Sequence, residues 1–349
     1  MGGGSAPPRH QRAHLRATAM PTPNPLSPDD FGPTLCIGEI LVEIVANTAG
    51  SGFLEPQPLT GPYPSGAPAI FIDQCGRFGG SAAMIGSVGK DDFGRVNTDR
   101  LQRDGVDTSA IHVDPALPTG TAFVRYRDDG DRDFVYNMWT SAAGALDWTA
   151  EVEAVVARAG HLHIMGTLLV QQRIWQVIER AAGIIKSRGG SVSLDPNLRK
   201  ELGADADTAS RFAAVVSMAD LLLPSGPELF VAAGTDASAG ENAALASLFA
   251  GGAREIVLKR GAAGSTCFTA EGTRIDAPAF AVTELDPTGA GDCFGGAYVA
   301  ARRLGFDMAQ ALTYGNAAGA RNVTFRGPME GAGTRAELDA FIAGKGRVA

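Results

Sequence analysis

Four short apolar runs, each followed by a stretch of helical character, constrain this chain more than any other feature. They are HLHIM at 161–165, SVSLD at 191–195, DLLLP at 220–224 and EIVLK at 255–259. Short runs that are apolar almost throughout belong to strands buried on both faces, and strands alternating with helices build βαβ units around a parallel sheet. An earlier run, Thr34 to Val45, is rich in β-branched and aliphatic residues and reads as one buried strand with two carboxylates, Glu39 and Glu43. Acids in such a strand need a reason. Residues 47–66 are dense in Gly, Pro and Ser and read as irregular connection. Thr121 to Trp139 alternates with period two on both sides of Asp128-Asp129-Gly130-Asp131, which predicts an amphipathic hairpin turning at Asp129-Gly130. No internal repeat of fixed period is present.

The 349 residues, 45% of them hydrophobic, suffice for one α/β domain with an accessory piece. A formal charge of -8 argues against a nucleic-acid backbone or an anionic membrane as partner, since both demand a basic surface, and leaves a small molecule as the default. Cys36, Cys75, Cys267 and Cys293 form neither a CxxC pair nor a Cys/His cluster, which fits a reducing cytoplasm better than a disulfide framework or a zinc site. Residues 1–32 are rich in Gly, Pro, Arg and Ser without apolar periodicity and are expected to be a disordered tail. Their Arg-containing, acid-poor start imitates a transit peptide, but Met20 as an alternative initiation site is the plainer account. No apolar run reaches the ~18 residues of a membrane span, and the tail lacks the apolar core of a secretory signal. His161 and His163 share one face of their strand. A metal-ligand pair is one reading; satisfied structural histidines are the better one, because no third ligand is close in sequence.

The strongest local signal is Asp286-Pro287-Thr288-Gly289-Ala290-Gly291-Asp292, a glycine-rich turn running into an apolar helix. Small residues let backbone N–H groups converge, and a helix N-terminus adds unpaired donors and positive partial charge. Gly289, Ala290 and Gly291 therefore make a candidate anion hole for a phosphoryl group. Asp292, in the first turn, is placed to accept a proton from a hydroxyl attacking that group. The alternative is a helix start whose aspartate merely complements the dipole. A Walker A loop is excluded because Gly89-Lys90 is followed by Asp91, and a GxGxxG fingerprint because Phe294 stands at the third glycine.

DPTGAGD at 286–292 resembles the C-terminal signature of the PfkB, or ribokinase-like, carbohydrate kinases. The resemblance extends over nearly the whole chain after Pro33. It includes Gly38 to Leu41, the small-residue turn Ser65 to Ala69, and Val88-Gly89 with Asp91-Asp92-Phe93-Gly94. It continues through Asp195-Pro196-Asn197-Leu198-Arg199, the strand and turn Val257 to Gly264, and Asn316-Ala317-Ala318. The resemblance implies that Asp292 is the catalytic base and Gly289 to Gly291 the anion hole, with Glu43, Gly66 and Arg199 on the sugar. It places Lys259, Gly261, Gly264 and Asn316 on the nucleotide, and has Glu228 order water around Mg2+. Three positions depart from the family pattern: Ser225 replaces the asparagine of NxxE, Ile70 replaces the first-signature asparagine, and Ser65-Gly66 replaces a Gly-Gly pair.

The expected fold is α/β: a ribokinase-like three-layer core over 33–349, with a mostly parallel sheet and a small β lid contributed by about 46–65 and 111–140. The expected function is ATP- and Mg2+-dependent phosphorylation of a primary hydroxyl of a neutral ketohexose such as tagatose or fructose, with a monovalent cation as a further candidate cofactor. A 2-keto-3-deoxygluconate kinase is the alternative. Such enzymes typically show Tyr-Tyr-Arg where this chain has Tyr136-Asn137-Met138, and an absent arginine favours a neutral sugar. A non-catalytic sugar or nucleotide sensor is the alternative from another class, and a homodimer through the lid is the expected assembly.

Overall fold

The computed structural model describes Met1 and residues 24–50, 52–128, 132–197 and 206–344. Thirteen strands are present among them, numbered in chain order: β1 (Thr34–Ile37), β2 (Leu41–Ala46), β3 (Leu59–Ser65), β4 (Ala82–Gly89), β5 (Val106–Asp114), β6 (Gly120–Tyr126), β7 (Arg132–Asn137), β8 (His161–Met165), β9 (Ser191–Asp195), β10 (Leu221–Leu222), β11 (Glu255–Lys259), β12 (Ser265–Thr269) and β13 (Arg274–Ala277). Nine form one sheet in the order β13-β12-β11-β10-β9-β8-β1-β4-β5, and four form a second in the order β3-β2-β6-β7. The large sheet is parallel from β5 to β11 and ends in two antiparallel strands, β12 and β13. Its central strands β1, β4, β8 and β9 are buried along their whole length, as the absence of alternation requires.

Strand order reverses between β1 and β8, since β4 and β5 extend the sheet one way and β9, β10 and β11 the other. Ligands of open α/β sheets lie outside the carboxyl ends of the strands at such a point. Here those ends deliver Glu39, Thr167, Asp195, Ser225 and Lys259 to one region. The helix Ala290–Arg303 enters the same region with its N-terminus, and every residue from Asp292 to Arg303 is buried.

Three expectations need correction. The run Thr34 to Val45 is two strands rather than one: β1 pairs with β4 and β8 in the large sheet, whereas β2 pairs with β3 and β6 in the small one. Apolar content alone does not tell the chain which sheet to join. The segment 47–66 is irregular only at first and then supplies β3, while β5, which includes residues 111–114, is the edge of the large sheet. Residues 24–32 pack on the core: Leu26 is buried, and Arg303 donates to the carbonyls of Ser27, Pro28 and Gly32. Residues 2–23 and the hairpin turn at Asp129-Gly130 lie outside the described residues.

His161 and His163 are structural. His161 Nδ1 and Nε2 lie 2.8 Å from the hydroxyls of Ser191 and Ser193, and His163 Nδ1 lies 2.7 Å from Ser193 Oγ with its ring stacked on Phe71. Burial holds both imidazoles well below their ordinary pKa and therefore neutral.

Candidate active site

The turn before the helix Ala290–Arg303 requires glycine at position 289. Gly289 has φ +78°, and a Cβ there would sit 2.0 Å from the Pro328 carbonyl oxygen. Only glycine meets both demands. Asp286 anchors the turn. Its Oδ1 accepts from Thr288 N (2.9 Å) and from the Tyr126 hydroxyl (2.7 Å), and its Oδ2 accepts from Gly327 N (3.0 Å). Arg132 Nη1 donates to Thr288 Oγ1 at 2.7 Å. Tyr126 and Arg132 belong to β6 and β7, so the small sheet is hydrogen-bonded directly to this turn.

Two recesses flank the turn. A cavity of about 550 Å³ is lined by Ala290, Gly291, Lys259, Gly261, Gly264 and Asn316, with Ala279, Val282, Phe294 and Val323 as apolar wall. Gly264 permits that wall, since a Cβ on it would meet the Ala277 carbonyl at 2.1 Å. Asn316 donates to the carbonyls of Ala277 and Pro278, both at 3.1 Å, and so fixes the loop that closes one side. A cavity of this size, mostly apolar with a few convergent polar groups, suits a nucleotide.

The second recess, of about 40 Å³, holds Asp292 together with Glu39, Glu43, Ser65, Gly66, Thr167 and Thr288, roofed by Phe134, Tyr136 and Met138. Glu43 Oε1 accepts from Ser65 Oγ at 2.7 Å. Gly66 has φ +109°, and a Cβ there would lie 2.4 Å from the Glu39 carbonyl oxygen. The recess is smaller than an ordinary ligand pocket by roughly a factor of ten. Phe134 and Tyr136 stack with ring centroids 5.3 Å apart, and both come from the small sheet.

Between the recesses Lys259 forms an ion pair with Asp195. A Cβ on Gly291 would lie 3.5 Å from Lys259 Nζ, so the ammonium stands beside the glycine turn. Burial pulls the Lys259 pKa down, but the carboxylates of Asp195, Glu228 and Asp292 outweigh it and hold the pKa above its ordinary value. Asn197 Nδ2 donates to Asp292 Oδ1 at 3.2 Å. Glu228 Oε2 accepts from Ser225 N at 2.7 Å, closing the first turn of its helix.

The structure thus brings Glu43, Gly66 and Asp292 to one recess and Ala290, Gly291, Lys259, Gly261, Gly264 and Asn316 to the other. Glu228 stands behind Lys259, and Gly289 is the pivot between them. Arg199 lies outside the described residues. Sequence reasoning gave no role to Asp195, Asn197, Asp286, Thr288, Phe134 or Tyr136 individually. The first four lie inside the motifs at 195–199 and 286–292 and Tyr136 inside the run Tyr136-Asn137-Met138, whereas Phe134 is recognisable only once the register of β7 is known.

A family model described as pfkB family carbohydrate kinase matches residues 34–335. The chain is 30% identical over 311 residues to fructokinase-1 of Oryza sativa subsp. japonica, covering 86% of this chain and 94% of that protein. Among solved structures, an Escherichia coli protein assigned as a ribokinase II, in complex with ATP and Mg2+, is 41% identical with a TM-score of 0.83. It covers 89% of this chain and 99% of its own. Fructokinase from Vibrio cholerae, in a form with fructose, ADP and calcium ion bound, is 26% identical with a TM-score of 0.76, covering 90% and 100%.

Proposed function

Because this chain belongs to the pfkB family of carbohydrate kinases, ATP-dependent phosphotransferases acting on sugar hydroxyls, we propose that its acceptor is the primary hydroxyl of a neutral ketohexose, fructose first and tagatose second. One observation carries this reading. A single turn presents Ala290 and Gly291 to the larger cavity and Asp292 to the small polar recess, so phosphate and acceptor meet across it. The nucleotide occupies the larger cavity with its phosphates toward Gly291 and Lys259. The acceptor occupies the small recess against Glu43, Gly66 and Asp292.

Asp292 accepts the hydroxyl proton as the oxygen attacks the γ-phosphorus and the bond from that phosphorus to the β-phosphate oxygen breaks, leaving ADP. The N–H groups of the glycine turn, at the positive end of a buried helix, hold the charge on the transferred group, and Lys259 adds a fixed cation. Among the described residues no three Asp, Glu, His or Cys side chains form a metal cage. Mg2+ requires only one or two carboxylates beside phosphates and water, so Glu228 fits a water-mediated role. When bound, the ion neutralises phosphate charge.

A hexose does not fit the recess as it stands, so the small sheet acts as a lid, released when Tyr126–Asp286 and Arg132–Thr288 part and closed again over the sugar to exclude water. The acids of the recess and the apolar Met138 disfavour a carboxylate sugar. The exposed face of the lid, which carries Val135, is the surface offered for a homodimer.

Asp292→Asn tests the mechanism. It keeps size and removes the proton acceptor, so kcat on fructose should fall by roughly 10² to 10⁴ with ATP affinity little changed. Near-normal turnover would refute the assignment, and a lost melting temperature with normal kcat would point to a helix-capping role. A sensor would bind sugar but release no ADP with fructose, tagatose, ribose or 2-keto-3-deoxygluconate.

A further inference from the structure

Among the described residues, Asn197 is the one non-glycine residue with positive φ, at +37°. Such backbone is uncommon outside glycine, although asparagine tolerates it better than most residues. The turn follows the end of β9. Asn197 N donates to Asp195 Oδ1 at 3.2 Å, while Asp195 Oδ2 pairs with Lys259. The chain approaches β8 so closely here that a Cβ on Gly166 would lie 1.9 Å from the Pro196 carbonyl oxygen. The turn is therefore fixed from both sides, and the direction it gives the Asn197 amide is toward Asp292 Oδ1 at 3.2 Å and Met165 Sδ at 3.7 Å. The result is one connected path, Lys259–Asp195–Asn197–Asp292, that joins the cation beside the glycine turn to the carboxylate in the acceptor recess.

We infer that Asn197 is a positioning residue that fixes the rotation of the Asp292 carboxylate and ties it, through Asp195, to the Lys259 ammonium. The inference rests on Asp292 being the proton acceptor. An amide has a specific value here. Its N–H stabilises the ionised carboxylate without offering an acid that would compete for the hydroxyl proton. A carboxylate at 197 would place like charge against Asp292. An aliphatic residue would leave Asp292 facing its other charged and titratable neighbours, Lys259, Glu39, Glu43, Cys36 and Cys293, without that donor.

Asn197→Gly keeps the left-handed turn and deletes only the amide. The acidic limb of its kcat–pH profile on fructose and ATP-Mg2+ should move upward by about one pH unit, the shift that loss of a charge-assisted hydrogen bond produces. The melting temperature should stay near wild type. Direct titration of the Asp292 carboxyl, by 13C NMR of aspartate-labelled protein assigned with Asp292→Asn, should move in the same direction. Asn197→Asp, which also tolerates the turn, should move both further upward and carries the test if the glycine variant does not fold. Titrations that coincide with wild type overturn the inference alone, provided Asp292→Asn is inactive. Near-normal turnover in Asp292→Asn overturns the base assignment and this inference with it.

Discussion

Acidification from pH 7 to pH 5 should expose the cost of the two buried histidines. Both are held neutral by burial, whereas the unfolded chain protonates them with the ordinary value of 6.5. Above 6.5 neither state takes up these protons, and the term is absent. Below it the unfolded chain binds protons that the native chain refuses, so stability falls as pH falls. For a histidine that stays neutral when folded the loss between pH 7 and 5 is about 2 kcal/mol, or about 4 kcal/mol for the pair. One buried group opposes this. Burial pushes Asp73 up to about 7 even though Arg100 pulls the other way. Between its unfolded value of 3.8 and about 7 the native chain holds a proton that the unfolded chain has released, so acidification to pH 5 returns roughly 2 kcal/mol. The wild-type protein should therefore lose about 2 kcal/mol, and His161→Gln should lose close to none, as its single remaining histidine is offset by Asp73. Urea unfolding of both proteins at pH 7 and pH 5 reads the difference directly. Equal pH dependence in the two would show that His161 takes up a proton in the native core, and the burial argument would fail.

Gly289→Ala should destabilise the fold by at least about 2 kcal/mol, from left-handed strain and the contact with the Pro328 carbonyl. It should also lower kcat in the folded fraction more than tenfold; paired melting and turnover measurements in which neither changes would remove the turn from the mechanism. Fructose should have a higher kcat/KM than 2-keto-3-deoxygluconate, and Met138→Arg should shift the ratio toward the acid sugar, because Met138 roofs the acceptor recess. A ratio unmoved by the substitution would show that residue 138 does not face the bound acceptor.

The parts of the fold that were legible in sequence are those whose signal is local. HLHIM, SVSLD and EIVLK are strands at the positions expected, because strands buried on both faces need no partner to be recognised. DLLLP yields only Leu221–Leu222, since Pro224 cannot continue a ladder of backbone donors. The break between β1 and β2 and the assignment of β3 depend on which sheet each strand joins, and that is decided by contacts distant in sequence. The site divides in the same way. Gly289 to Asp292 could be read from one turn and one helix start. Asn197 could not, because its significance lies in an amide that meets a side chain from a distant helix. Nothing local marks residues 24–32 as ordered, because their anchor is Arg303, at the far end of that same helix.

The crossing at Gly38 to Ile40, where the chain leaves one sheet and enters the other, separates two inheritances. Glu43, Phe134, Tyr136 and Met138 line the small recess and not the larger cavity, while Tyr126 and Arg132 of the same small sheet hold the glycine turn. On the proposed assignment of that recess to the acceptor, substitutions at its four positions just named would change which sugar is accepted while the larger cavity stays intact. Ser65 and Met138, both of which line that recess, are the kind of divergence such an arrangement tolerates. The same layout makes acceptor choice accessible to selection or engineering one strand face at a time, with the chemistry of transfer as a fixed background.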